Sequence, residues 1–169
     1  KTITTGGGGM IITNNEELAA KARHLSTTAK ISHRWEFSHD EIGYNYRLNN
    51  VSASIGVAQM EKLEEYLVSK RQTSEAYSTF CKSHSIEFFQ GLAEGQANNW
   101  LNAIIMKNRS ERDAFLIATN DNGVMTRPLW KLMHKLDIYM HCQHDGLENS
   151  LFLEDRIVNV PSGVRRLNS

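Results

Sequence analysis

Net charge is the first thing the sequence lacks: across 169 residues, nineteen lysines and arginines offset nineteen aspartates and glutamates. That balance argues against a module held to nucleic acid by a broad basic face, and leaves room only for a local patch. Long apolar runs are missing too. None approaches the ~18 residues that a bilayer-spanning helix needs, and no basic leader precedes an apolar stretch, so the chain reads as cytoplasmic with no membrane partner. Cysteine is scarce. Cys81 and Cys142 stand far apart and offer neither a disulfide framework nor a CxxC pair, which points to free thiols in a reducing compartment. What remains, 40% hydrophobic and 22% charged, is a globular composition able to bury one core, and it argues against disorder.

Against that background one stretch is unusual. Lys1-Thr2-Ile3-Thr4-Thr5 leads into four consecutive glycines, Gly6 to Gly9, and then into the apolar Met10-Ile11-Ile12. Glycine weakens both helices and strands, so four together imply an unusual φ or a close approach to something bulky, a ligand or a partner chain. A phosphate loop would need Gly-Lys-Ser/Thr after the glycines, but Met10 follows Gly9. The dinucleotide fingerprint would need a third glycine where Ile11 stands. His141-Cys142-x-His144 could ligate a metal, but it is one cluster without a second half, and scattered surface residues explain it better. No metal is expected. Lys1 has no methionine before it, so the chain reads as cut from something longer.

Along the chain, Met10 to Thr13 reads as a short buried strand. Asn14 and Asn15 with Glu16 and Glu17 then open a helix that runs to about His24 or Leu25. From Ser26 to Asn50 periodicity vanishes in a segment dense in aromatic and polar groups, a loop long enough to be functional. Asn49 or Asn50 caps a helix whose first turns carry Ala53, Ser54, Gly56 and Ala58, small enough to let another backbone come close. Leu63, Leu67, Tyr77 and Phe80 continue an apolar stripe, as one long helix or two with a bend, to about Ser83. Short elements follow: a strand at Ile86 to Phe89, a turn at Gly91 to Gly95, a strand at Trp100 to Met106, and a helix from Ser110 that Asn122-Gly123 ends. Val124 to Thr126 is expected as a third short strand that Arg127-Pro128 breaks. The region from Leu129 to Asp145 is irregular. A helix at Leu147 to Glu154 and a strand at Ile157 to Val160 complete the pattern. The mixed order suggests an α+β lobe from about Ile86 onward, attached through the long helix to a small N-terminal piece.

Three stretches carry a resemblance: Lys1-Thr2-Ile3-Thr4-Thr5-Gly6-Gly7-Gly8-Gly9-Met10-Ile11-Ile12-Thr13-Asn14, Asp40-Glu41-Ile42-Gly43-Tyr44-Asn45-Tyr46-Arg47-Leu48, and Ala58-Gln59-Met60-Glu61-Lys62-Leu63. In order and spacing the chain resembles the DegT/DnrJ/EryC1/StrS nucleotide-sugar aminotransferases, enzymes of the pyridoxal-phosphate fold type I. Thr27-Thr28-Ala29-Lys30, Trp35-Glu36-Phe37 and Met125-Thr126-Arg127-Pro128-Leu129-Trp130 look most like the legionaminic acid or bacillosamine type, which aminate C4 of a UDP-linked 4-keto-6-deoxy sugar. The resemblance implies the C-terminal half of such an enzyme, α/β followed by α+β: the end of the cofactor-binding large domain with its interface loop in 1–62, and the small domain with its leading long helix in 63–169.

It also implies roles. Lys1 matches the catalytic lysine that binds pyridoxal phosphate covalently and shuttles a proton, a task that requires an amine. Asn45 matches the asparagine that reaches the cofactor phosphate of the other subunit of a homodimer, where an amide donates without adding a buried charge. Arg47 suits a donor carboxylate, expected to be that of glutamate, or a substrate phosphate. Trp35, His33, His39, Arg127 and His134 are candidates to line the sugar-nucleotide pocket, although core packing or plain exposure explains each alone as well. One departure is Gly7, where the family commonly has glutamate. The aromatic that stacks on the cofactor, the aspartate at the pyridinium nitrogen and most phosphate ligands belong to a half this chain lacks, so the 169 residues alone are expected to be inactive. The competing reading is a non-catalytic oligomerisation or binding domain.

Overall fold

In the computed structural model, which describes residues 1–91 and 95–165, tertiary contacts divide the chain into two units. The first holds Lys1 and Ile3–Leu63; the second holds Thr2 and the chain from Glu64 onward. No helix among the described residues is long and apolar enough to cross a membrane.

In the first unit, α1 (Glu16–Ser26) starts where the side chain of Asn15 accepts the Leu18 N–H at 3.0 Å. Glu16 and Glu17 face its positive end, and Arg23 and His24 its negative end. The second helix, α2 (Asn50–Glu61), is capped in the same way by Asn49, which accepts the Ser52 N–H at 2.8 Å. Its small residues do admit another backbone: a Cβ on Gly56 would stand 3.0 Å from the Thr5 methyl, and Thr4 N–H donates to Gln59 Oε1 at 3.3 Å. Met10 to Thr13, however, forms no strand. Met10, Ile11 and Ile12 are 84%, 75% and 86% exposed. An apolar run becomes a buried strand only beside a neighbour that supplies ladder partners and cover, and the described residues bring none to this one.

α3 (Leu63–Ser83) begins after Lys62, so the long amphipathic stretch is indeed two helices with a break. The second unit is built on it and on a four-stranded antiparallel sheet in the order β1-β2-β4-β3: β1 (Glu87–Phe88), β2 (Asn102–Ile105), β3 (Arg127–Pro128) and β4 (Ile157–Val160). α4 (Arg109–Asp121) and α5 (Glu148–Glu154) complete it, with 3₁₀ turns at Met133–Lys135 and Asp137–Tyr139. The third strand is not Val124 to Thr126 but the very pair expected to break it. Among the described residues β3 is an edge strand paired with β4 alone, and proline's missing N–H is harmless on an edge. The turn expected at Gly91 to Gly95 falls partly outside the described residues.

Strand alternation sorts the sheet into two faces. Ile104 and Val158 sit opposite each other in the β2–β4 register and form, with Val160 and Cys81, the buried cluster against which Tyr77, Phe88, Phe115 and Leu116 pack. On the other face Ala103 pairs with Asn159, and Asn159 with Arg127. The segment after β4 is irregular, yet it is tied to α3. Lys70 Nζ donates to the Ser162 carbonyl at 2.7 Å, the Tyr77 hydroxyl to Pro161 at 3.0 Å, and Ser69 Oγ accepts the Arg165 N–H at 3.0 Å. Burial holds the Lys70 ammonium below the usual lysine range and pushes the Tyr77 hydroxyl and the Cys81 thiol up. Both cysteines are free thiols, Cys81 buried and Cys142 exposed.

Ile104 is 5% exposed at the centre of this cluster. Replacing it with alanine should cost about 2–5 kcal/mol, read as a fall in the urea midpoint of the chain. A change within about 0.5 kcal/mol, the size of a surface substitution, would mean that the cluster is not the core.

Candidate functional site

The first unit presents the glycine run and the loop between α1 and α2. Gly6 and Gly8 take positive φ, 78° and 118°, and a Cβ on Gly6, Gly7 or Gly9 would meet nothing within 4 Å. The run is open on one side. Gly7, Gly8 and Gly9 line a cavity of about 990 Å³ with Arg47, Asn49 and Ser52. Lys1 is exposed, its terminal ammonium 3.5 Å from the Ile3 carbonyl, and neither Lys1 nor Asn45 lines that cavity.

The loop doubles back on itself. Thr27 bridges to Asn45 and Lys30 to His39, both antiparallel, while Thr28 N–H donates to Tyr44 O at 3.0 Å and Tyr44 N–H to Leu25 O at 2.7 Å. Where the strands cross, Thr28 and Ala29 adopt left-handed conformations, φ 68° and 50°, and Ala29 is fully buried. A β-branched residue at positive φ is a strained one, and it persists only where its surroundings over-determine it. Here they do: His39 Nδ1 lies 2.7 Å from the Thr28 carbonyl, His24 Nε2 lies 2.6 Å from Asp40 Oδ1, and Lys21 Nζ lies 2.5 Å from Glu41. The hydrogen bond from His24 holds the Asp40 carboxyl below the usual aspartate range.

His33 and Trp35 meet edge to face with centroids 5.1 Å apart, Arg34 lies over Trp35, and Trp35 is 68% exposed. His39 is taken up by the Thr28 carbonyl instead. Among the described residues, the His/Asp/Glu grouping with metal-like spacing is His24, Asp40 and Glu41, with Lys21 against Glu41, and not the His141 to His144 stretch.

In the second unit Arg127 and His134 go to different cavities. Arg127 lines one of about 410 Å³ with Trp100, Trp130 and Asn159. His134 lines one of about 430 Å³ with Tyr139, Cys142, His144 and Leu147, its ring 4.8 Å from that of His144. Nδ1 of His134 is buried without a hydrogen-bond partner among the described residues. A buried nitrogen left so costs on the order of 1–3 kcal/mol, and it is a natural point for a ligand to donate or accept.

With this geometry in view, the comparisons with known proteins are decisive on ancestry. The sequence profile described as the DegT/DnrJ/EryC1/StrS aminotransferase family matches residues 1–166. The chain belongs to that family. GDP-perosamine synthase of Escherichia coli O157:H7 is 32% identical over 164 residues, covering 96% of this chain and 44% of that protein. EpsN of Bacillus subtilis, provisionally named a pyridoxal phosphate-dependent aminotransferase, is 33% identical over 140 residues, 82% of this chain and 36% of its own length. The fold matches PseC of Helicobacter pylori, an aminotransferase of pseudaminic acid biosynthesis, with a TM-score of 0.88 over 99% of this chain and 46% of that one at 21% identity. The chain thus spans less than half the length of these DegT-family relatives. Its architecture is that of part of a fold-type-I aminotransferase, with helices and a small sheet.

Sequence reasoning did not single out Gly43, although it lies between Asp40 and Asn45. Its Cβ would fall 2.3 Å from the Thr28 carbonyl carbon and 2.4 Å from Ala29 N. The signal available was a glycine flanked by Ile42 and Tyr44 in a loop otherwise rich in large side chains. Gly43→Ala should force the two backbones apart at a cost of about 1–3 kcal/mol, with faster hydrogen exchange at the Thr28 and Tyr44 amides. Unchanged exchange there would show that the crossing does not depend on the missing side chain.

Proposed function

We propose that these residues serve a pyridoxal-phosphate-dependent aminotransferase that moves an amino group, taken from glutamate, onto a 4-keto-6-deoxy nucleotide sugar. The observation that carries the reading is the family match over 1–166 with Lys1 at the head of an open glycine run. The donor set fits the cofactor in chemical kind: Lys1 offers a primary amine for an aldehyde, and Asn45 an amide N–H for a phosphate oxygen. When bound, pyridoxal phosphate supplies the electron sink for proton removal at the carbon beside the migrating amine.

This chain's residues do the rest. Lys1 would hold the cofactor through Nζ, and as a free amine would move a proton at the same nitrogen. Asn45 sits on the doubled-back loop, whose bridge to Thr27 fixes its backbone, and reaches the cofactor phosphate of a second copy in a homodimer. Arg47, beside the glycine run, binds the donor carboxylate or a substrate phosphate as a planar two-donor fork. Trp35 and His33 offer an exposed aromatic pair to a sugar or base, and in the second unit Arg127 and His134 offer polar groups from apolar cavities. His39 is a weaker contact, because its Nδ1 already serves the loop.

The large exposed side chains of the first unit, Met10, Ile11, Ile12 and Val51 among them, fit a protein in which further polypeptide covers them. Turnover therefore belongs to a protein of the relatives' length, and the 169 residues alone should show none. Carried in a protein of full family length, they should transfer nitrogen from glutamate to a 4-keto-6-deoxy nucleotide sugar, detected as 2-oxoglutarate release. Lys1→Ala should abolish that release, and Asn45→Ala should lower cofactor affinity about tenfold or more, the loss of one hydrogen bond to a charged group. Persistent turnover by Lys1→Ala would overturn the assignment.

A further inference from the structure

Glu154 is a carboxylate where an apolar residue would be expected. It closes α5 immediately before β4, its side chain is 11% exposed, and no sequence motif marks it. Its two oxygens divide their work. Oε1 accepts the N–H of Leu132 at 3.0 Å, and Oε2 takes the ammonium of Lys135. Between these two anchors lies one 3₁₀ turn, Met133–Lys135, and at its middle stands His134. The backbone carbonyl of Glu154 is held in turn by Nη1 of Arg112, a buried guanidinium of α4 that also binds Asp113 Oδ1 at 2.6 Å. Burial alone would raise the Glu154 carboxyl, but the Lys135 hydrogen bond and the Leu132 N–H outweigh it and leave the group below the usual glutamate range. The turn therefore has a charged clamp at both ends, fixed to two helices, where a segment between residues 129 and 147 would otherwise hang on its own short 3₁₀ bonds.

We infer that Glu154 is a positioning residue for His134, holding the Met133–Lys135 turn so that the imidazole faces the cavity it shares with Tyr139, Cys142 and His144. The consequence for catalysis rests on the proposed reading of His134 as a substrate contact; the positioning itself does not. Glu154 touches no substrate. It acts by fixing both ends of the turn, and without it Leu132 N–H and the Lys135 ammonium lose their partner together. Glutamine keeps an oxygen for Leu132 but gives up the ion pair, so it should retain part of the effect; alanine should retain none.

The two parts separate experimentally. In the 169-residue chain, the imidazole carbon–proton resonances of His134, assigned by their loss in His134→Ala, should move in Glu154→Ala and move less in Glu154→Gln, while those of His33 and His39 stay in place. In a protein of full family length, Glu154→Ala should raise KM for the nucleotide sugar about tenfold with kcat changed less than about twofold, and Glu154→Gln should recover part of the loss. Unmoved His134 resonances in both Glu154 variants overturn the inference, and Glu154→Gln alone decides it if the alanine variant does not fold. Moved resonances together with an unchanged KM in His134→Ala uphold the positioning and overturn only the substrate role of His134.

Discussion

Wherever this chain leaves regular structure, its buried backbone groups must still find partners, and side chains fixed on helices provide many of them. The exit from β4 is held by Ser69, Lys70 and Tyr77 along α3. The turn around His134 is held by Glu154. In the first unit the carbonyl of Thr28 is met by His39, while Asp40 from the same loop is met by His24 of α1. The pattern explains why Ser69, Lys70, Arg112 and Glu154 are buried in a chain whose core is small. Polar residues are buried here because they finish the irregular segments, and an irregular segment finished in this way can present a side chain in one place.

The cost of the arrangement is visible. Lys70 loses hydration, which lowers its ammonium pKa, and among the described residues its return is a carbonyl of the segment it secures. Thr28 and Ala29 hold left-handed conformations that cost roughly 1–2 kcal/mol per residue. Tertiary contacts outweigh that cost: Ala29 N–H reaches the His24 carbonyl at 2.9 Å, Thr28 N–H reaches Tyr44, and Gly43 leaves the room both need. Strain of this kind is sustained by the fit of one backbone against another, so a single methyl at residue 43 weighs more than any surface charge in the loop.

What could be read from the sequence was local. The asparagine pairs before α1 and α2 each announce a helix, with Asn15 and Asn49 as the caps, and Asn122-Gly123 ends α4 as that pair should; the start of α4 is capped by Asn108, two residues before the Ser110 expected to open it. The family resemblance was legible in the motifs around Lys1 and Asn45, and it extends over nearly the whole chain. What could not be read was what depends on a distant neighbour. Met10 to Thr13 has the composition of a buried strand and the exposure of a surface segment, because burial is a property of the partner as much as of the run. Arg127-Pro128 looks like a breaker until the sheet order makes it an edge, where the absent N–H costs nothing. Glu154 carries no sequence signal, since nothing in a helix-spaced glutamate tells whether it faces water or two donors from another segment.

The same distinction bears on the candidate site. Lys1, Asn45, Arg47 and Trp35 are exposed, and their chemistry is inferred from residue type and motif; of the four, Arg47 lines the cavity beside the glycine run, which Lys1 and Asn45 do not. His134 differs in kind. Its Nδ1 is buried and without a partner among the described residues, beside an apolar cavity and on a turn whose two ends are both secured. An unsatisfied donor or acceptor on a loose loop would swing to water and lose nothing, so it survives only on a segment that cannot relax. The clamp at Glu154 and the orphan nitrogen at His134 thus account for each other: the first makes the second possible, and the second gives a buried carboxylate in a short helix a reason beyond stability.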